Sequence, residues 1–187
     1  NILIGSALKV IKENKNTRIV IFVPDYKADF FRKEIGCHDV IIEGIKNILN
    51  LKQDIIFNFL CGSLVNSSTI LVNRRVQLNK DSRWVRFFVS FLLVKVFSKS
   101  DIFKKLVRII DYFTIEKNCF DEFFLKYKPS LVFATVVFNN ADIHLLSEAK
   151  FRGIKTVGMI RSWDNITNKG FPRVEPDNLL VQSNVLK

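Results

Sequence analysis

Thr156-Val-Gly-Met-Ile-Arg-Ser-Trp-Asp-Asn-Ile-Thr-Asn-Lys-Gly170 is the stretch whose reading decides the fold. A short apolar run, Ile154 to Ile160, stops abruptly at Arg161. The residues that follow carry a guanidinium, an indole, a carboxylate, two amides, two hydroxyls and an ammonium before Phe171-Pro172 closes the segment. A buried strand that ends in a dense polar loop is where open α/β sheets place ligands, at the carboxyl ends of parallel strands.

The flanking sequence supports that reading. Upstream, Ser130 to Val137 is a β-branched run that predicts a strand, Asn139-Asn140 caps a helix, and Gly153 ends it. Ile143, Leu146 and Lys150 lie on one side of that helix, with Leu145 and Ala149 beside them. Downstream, Pro176-Asp177 precedes a further strand at Leu179 to Val181. Near the start, Arg18 to Val23 predicts a buried parallel strand stopped by Pro24-Asp25, Asp29 to Ile35 a short helix, and Asp39 to Ile42 a second strand. Strand, helix, strand in so short a span is a βαβ unit. Ile2 to Glu13 has helical spacing, with Gly5 in its first turn. There a ligand or the sheet could approach closely.

Residues 45–127 have another character. Helices are expected around 45–50, 52–65, 82–98 and 101–127, with Asn66 to Thr69 and Leu78 to Asp81 as connections. Ile70 to Val72 fits a helical turn or a strand. Ile102, Leu106, Ile109, Ile110 and Phe113 form an apolar stripe, and Thr114 to Asn118 is a place for a bend. The pattern predicts an α/β fold: a single domain over 1–187, a doubly wound parallel sheet with a helical insertion at 45–127.

Trp84 to Phe97 has two readings. Fourteen residues interrupted by Arg86 and Lys95 are too short and too charged to span a bilayer. They form either a buried core helix or a helix lying in a membrane interface, with Arg74, Arg75, Lys80, Arg83 and Arg86 reaching anionic head groups.

Composition narrows the function classes. A hydrophobic fraction of 48% with 18 Phe excludes intrinsic disorder, and 7 Gly with 4 Pro argue against a small turn-rich barrel. The chain opens on Asn1 and its one methionine is Met159, so a piece of a longer protein is expected. The net charge of +11 fits nucleic acid, anionic lipid, a phosphorylated substrate or a merely basic surface. The even spread of Lys and Arg disfavours a nucleic-acid-binding tail. Cys37, Cys61 and Cys119 lack C-x-x-C spacing and have only His38 and His144 beside them, so reduced cytosolic thiols are expected and no metal site.

Four segments together resemble a known family: Lys128-Pro-Ser-Leu-Val-Phe-Ala-Thr135, Gly153-Ile-Lys-Thr-Val-Gly158, Ser162-Trp-Asp-Asn-Ile-Thr-Asn-Lys-Gly170 and Pro176-Asp-Asn-Leu-Leu-Val-Gln-Ser183. They are similar to the N-terminal half of GT-B-fold glycosyltransferase-like proteins of bacterial surface and capsular polysaccharide biosynthesis. The resemblance extends to Arg18-Ile-Val-Ile-Phe-Val-Pro24, and the helical middle matches in character only; Asn168 stands where a small Ser or Thr is expected. It implies two Rossmann-like domains facing across a cleft. This chain would be the acceptor side, and a nucleotide-sugar donor would be held mainly by a C-terminal half. No Gly-rich phosphate fingerprint is present, and no cofactor or metal is expected. The implied location is the cytoplasm, peripheral on the inner face of the plasma membrane, with residues 74–97 toward the lipid.

Sugar transfer needs a base for the acceptor hydroxyl and positive charge for the leaving phosphate. On the resemblance, Asp164 is the candidate catalytic base. Arg161 and Lys169 are candidates for phosphates, Trp163 for stacking on a sugar, and Ser162, Asn165 and Thr167 for its hydroxyls. Gly5 is a candidate for close approach of substrate. A structural reading stands beside each: Asp164 and Asn165 as turn or helix caps, Trp163 as a core plug, Arg161 with Asp164 as an ion pair. The fragment alone is expected to be inactive. The alternatives are a nucleotide-sugar 2-epimerase-like enzyme and a non-enzymatic module that binds membrane or nucleic acid through the basic surface.

Overall fold

The computed structural model describes residues 17–35, 39–45, 52–81, 84–162 and 164–181. The helix expected over 2–13, the remainder of the one expected at 45–50, Gly5 and Trp163 lie outside the described residues. The chain is α/β and divides into two compact units, Asn1–Leu49 and Asn50–Lys187.

In the first unit, strand β1 (Ile19–Pro24) pairs in parallel with β2 (Val40–Ile45), Ile19 opposite Val40 through Pro24 opposite Ile45. A 3-10 turn at Asp25–Lys27 and helix α1 (Ala28–Ile35) make the crossover. Val23, Ala28, Val40 and Ile42 form the core, with Ile19, Ile21, Phe31 and Ile35 packed around it. This is the expected βαβ arrangement, with β1 half-buried along most of its length instead of buried. Ile45, read from sequence as the start of a helix, ends β2.

In the second unit, β3 (Leu131–Ala134), β4 (Lys155–Ile160) and β5 (Asn178–Val181) form a parallel sheet with β4 in the centre. Leu131 faces Lys155 and Val157 faces Asn178. β3 is shorter than the run Ser130 to Val137, although the Val137 amide still donates to the Met159 carbonyl at 3.4 Å. Gly158 sits where a Cβ would press into Val137 and Pro176, so the central strand tolerates no side chain there. Thr156 anchors the start of β4. Its amide and hydroxyl donate to Asp177 Oδ2 at 2.8 and 2.9 Å, and the Asp177 amide donates back to the hydroxyl at 3.0 Å.

The helices of this unit are α2 (Lys52–Ser63), α3 (Ser68–Asp81), α4 (Trp84–Phe97), α5 (Asp101–Thr114), α6 (Asp121–Tyr127) and α7 (Asn140–Phe151), with α8 (Asp164–Lys169) after β4. Phe57, Cys61, Leu64, Val107 and Phe171 form the core between helices. Leu60, Val65, Leu93, Phe97 and Phe103 pack on it, and the Phe97 and Phe103 rings stack at 4.2 Å. α7 packs against β3 and β4 through a nearly continuous buried run, Ile143 to Ala149.

Four local expectations are corrected. Leu78 to Asp81 is helical and not a connection: no Gly or Pro interrupts α3, which also takes in Ile70 to Val72 and begins at Ser68. The expected helix 101–127 is two helices. Thr114 Oγ1 donates to the Ile110 carbonyl at 2.8 Å, Ile115 takes extended backbone (φ −63°, ψ 137°), and its side chain turns inward. The polar loop after β4 winds into the six residues of α8. The apolar stripe of α5 exists, but Ile102, Leu106, Ile109, Ile110 and Phe113 face outward; Phe103, Val107 and Asp111, four residues apart, face the core.

Candidate functional site

A cavity of about 380 Å³ opens between α2, α3, α4 and the segment after β4. α2 contributes Asn58, Phe59, Cys61 and Gly62, α3 contributes Ile70, Asn73, Arg74, Gln77 and Leu78, and α4 contributes Arg86 and Phe87. Phe138, Ile143, Asn168, Lys169, Phe171 and Arg173 complete the wall, and among the described residues no Asp or Glu lines it.

The segment after β4 reaches this wall because of Gly170. Its φ is +92°, and a Cβ there would run into the backbone of Cys61 and Gly62. With glycine, the chain lies directly on α2 and carries Lys169 and Phe171 to the cavity. Two hydrogen bonds fix the approach to α3 and the turn before it: Ser67 Oγ donates to the Thr167 carbonyl at 2.5 Å, and Asn73 Nδ2 to Asn168 Oδ1 at 2.6 Å.

Arg74 and Arg86 both lie over the Phe59 ring, with guanidinium carbons 5.9 and 4.8 Å from its centroid. Arg74 donates to Ser63 Oγ at 3.2 Å, and Ser63 donates on to the Phe59 carbonyl at 2.6 Å. Burial, and then the charge of Arg86, pull the Arg74 guanidinium down to about 10. Burial, and then repulsion from Asp111, push the Cys61 thiol up to about 12, which leaves it a protonated, poorly nucleophilic wall residue at neutral pH.

Arg173 is held differently. Its Nε and Nη2 form a paired contact to Asp111, both at 2.7 Å, and Nη1 donates to Asp54 Oδ1 at 2.7 Å. His144 Nε2 lies 3.3 Å from Asp54 Oδ2, and its Nδ1 lies 3.1 Å from the Glu116 carbonyl. All four side chains are essentially inaccessible, so this network ties α2, α5 and α7 to the segment after α8. Sequence reasoning missed it. The only signal was an arginine inside the otherwise apolar Phe171-Pro-Arg-Val174.

Of the candidate site residues that are described, the cavity takes Lys169 alone. Asp164 starts α8, exposed, and Arg161 is exposed at the end of β4; no ion pair joins the two among the described residues. The Ser162 carbonyl accepts from the Asn165 amide at 3.1 Å, and Thr167 Oγ1 donates to the Asp164 carbonyl at 3.2 Å, so both stabilise the turn of α8. His144 is a fully buried member of the Arg173 network.

The sequence reading overlooked a second carboxylate. Asp142 stands in the first turn of α7, directly after the carboxyl end of β3, and burial pushes it up to about 6 against a bond from Asn139 that pulls it down. Among the described residues no group of three or more His, Cys, Asp or Glu is disposed to hold a metal ion.

α4 does not behave as a core helix. Ser90 is its one buried residue, and Trp84, Val85, Phe88, Val89, Phe91, Leu92 and Val96 are exposed. From Ile55 to Ser100 the sequence has seven Lys and Arg against one acid, Asp81. Among the described residues no helix is long and apolar enough to cross a membrane. No family model, no curated protein and no solved structure matches this chain.

Proposed function

We propose that this chain forms the acceptor side of a GT-B-type glycosyltransferase, a Rossmann-like half that presents a surface-polysaccharide or lipid-linked acceptor to a nucleotide-sugar at a membrane surface. The observation that carries the reading is the polar segment 161–170, which leaves the carboxyl end of the central strand of a parallel sheet and enters the wall of a basic cavity. The exposed apolar side chains of α4, together with the basic residues Arg75, Lys80 and Lys95, favour the membrane location, since each basic residue near an anionic surface contributes about 1 kcal/mol.

In the reaction, the acceptor hydroxyl attacks the anomeric carbon of the donor sugar. The new C–O bond forms as the bond to phosphate breaks, and the nucleoside diphosphate leaves with the electron pair. The hydroxyl proton passes to a carboxylate on the acceptor side. Two carboxylates stand at the same edge of the sheet: Asp164 after β4 and Asp142 after β3. Asp142, at about 6, is matched to proton uptake near neutral pH.

The test is transfer of labelled sugar by the full-length protein over pH 5 to 9. Loss of about a hundredfold in kcat for Asp164→Asn or Asp142→Asn, with KM little changed, identifies the base, since general-base catalysis typically contributes 10²–10⁴-fold. For Asp142 the wild-type rate also rises with pH through about 6. Undiminished transfer by both variants removes the catalytic role from this sheet edge.

A further inference from the structure

The partly or wholly buried arginine side chains described in the second unit are mostly neutralised. Arg173 is bonded to Asp54 and Asp111, Arg152 to Glu148 and Asp121, and Arg108 to Glu175. Arg74 and Arg86 are the exception. They are partly buried, they share one ring, and neither meets a carboxylate among the described residues. Lys169, 5.9 Å from the Phe138 centroid, likewise has no acidic partner there. Two guanidiniums beside the Phe59 ring repel each other, and burial together with that repulsion lowers Arg74. An anion in the cavity that both line would relieve both.

We infer that this cavity is a binding site for a phosphate or pyrophosphate ester, held by Arg74, Arg86 and Lys169. Three cations exceed what one carboxylate needs and match a dianion or trianion, and the planar guanidinium fork suits phosphoryl oxygens. Arg173 lines the same cavity but is saturated by its own carboxylates, so it shapes the wall without adding a free charge. Gln77 adds an amide to the same wall. The volume of about 380 Å³ lies within the range of small-molecule sites.

The ester has two possible sources. One is soluble: a nucleoside diphosphate or a sugar phosphate. The other is a lipid pyrophosphate, because α4 turns Arg86 and Phe87 to the cavity and leaves Val85, Phe88 and Val89 exposed. The site does not depend on sugar transfer. Anion binding without turnover would leave it standing and would count against the transferase alone.

The experiment titrates the purified chain with inorganic pyrophosphate and with a nucleoside diphosphate. A second arm uses phosphatidylcholine vesicles doped with a polyprenyl pyrophosphate, with undoped vesicles as reference. Saturable binding in the first arm assigns the soluble source, and saturable binding confined to doped vesicles assigns the lipid source. Either way, Arg74→Gln and Arg86→Gln are expected to weaken binding at least tenfold, while Lys95→Gln, an exposed lysine of the same helix, leaves it unchanged. A ligand-dependent rise in the Tm of the wild type confirms binding to the folded chain, and the circular dichroism of each variant shows whether it folds. Absence of saturable binding in both arms overturns the inference. So does binding that survives Arg74→Gln and Arg86→Gln in folded protein, since charge on the outer surface would then account for it.

Discussion

Asp142 shows how one residue can carry a measurable signature. Its carboxyl is raised from 3.8 to about 6 by burial. A raised carboxyl favours the folded state when protonated, so that stability is fully present below pH 3.8 and is lost as pH rises through about 6. A rise of that size corresponds to about 3 kcal/mol. Asp142→Asn is therefore expected to stabilise the chain by up to about 3 kcal/mol at pH 7.5 and by little at pH 4, read from urea unfolding midpoints at the two pH values. An equal effect at both would mean that the carboxyl is not raised. Arg173 gives the complementary case, a charge whose partners are all in place. Arg173→Met should cost about 3–5 kcal/mol in the same measurement, because Asp54 and Asp111 would stay buried without their cation. Neither role was legible in the sequence. Burial of Asp142 depends on how α7 packs on the sheet, and Arg173 meets partners 62 and 119 residues away.

At the scale of elements, the strands and their parallel pairing were legible, although they form two small sheets where one doubly wound sheet was expected. Ile-Val-Ile-Phe-Val, Leu-Val-Phe-Ala and Thr-Val-Gly-Met-Ile are β-branched or apolar runs bounded by Pro, Gly or polar residues. The helical middle was legible in kind, and the bend expected at Thr114 to Asn118 is where α5 ends, but Leu78 to Asp81, read as a connection, continues α3 because it holds neither Gly nor Pro. The direction of the α5 stripe was not legible. A helix with Phe103, Val107 and Asp111 on one face and five large apolar residues on the other offers two apolar faces, and the Arg173 network selects the first. Gly170 is where one element meets another most closely. Gly170→Ala adds a Cβ against the backbone of Cys61 and forces φ +92° on an L side chain. The expected loss is at least about 2 kcal/mol, from the left-handed backbone strain plus the clash. Thermal unfolding of the variant measures it, and Tm would fall; an unchanged Tm would show that the segment does not lie on α2.

At the scale of the molecule, the second unit combines a parallel sheet, a basic cavity with no acid among its described lining residues, and helices that leave large apolar side chains uncovered. The candidate site was half legible. The segment after β4 stands out by its composition, but of its described ligand candidates only Lys169 lines the cavity. Arg74 and Arg86 were noted as basic residues near a membrane, without their meeting over Phe59, since α2, α3 and α4 converge only in the fold. The uncovered face of α4 makes the membrane-facing arrangement directly testable. Flotation of the chain with vesicles, neutral against phosphatidylglycerol-containing, compares wild type with a Val85→Ser, Phe88→Ser and Leu92→Ser triple variant. Co-flotation with anionic vesicles, reduced by salt and abolished in the folded triple variant, is the predicted result. A wild-type chain that stays out of both vesicle fractions at low salt would contradict the membrane-facing acceptor side.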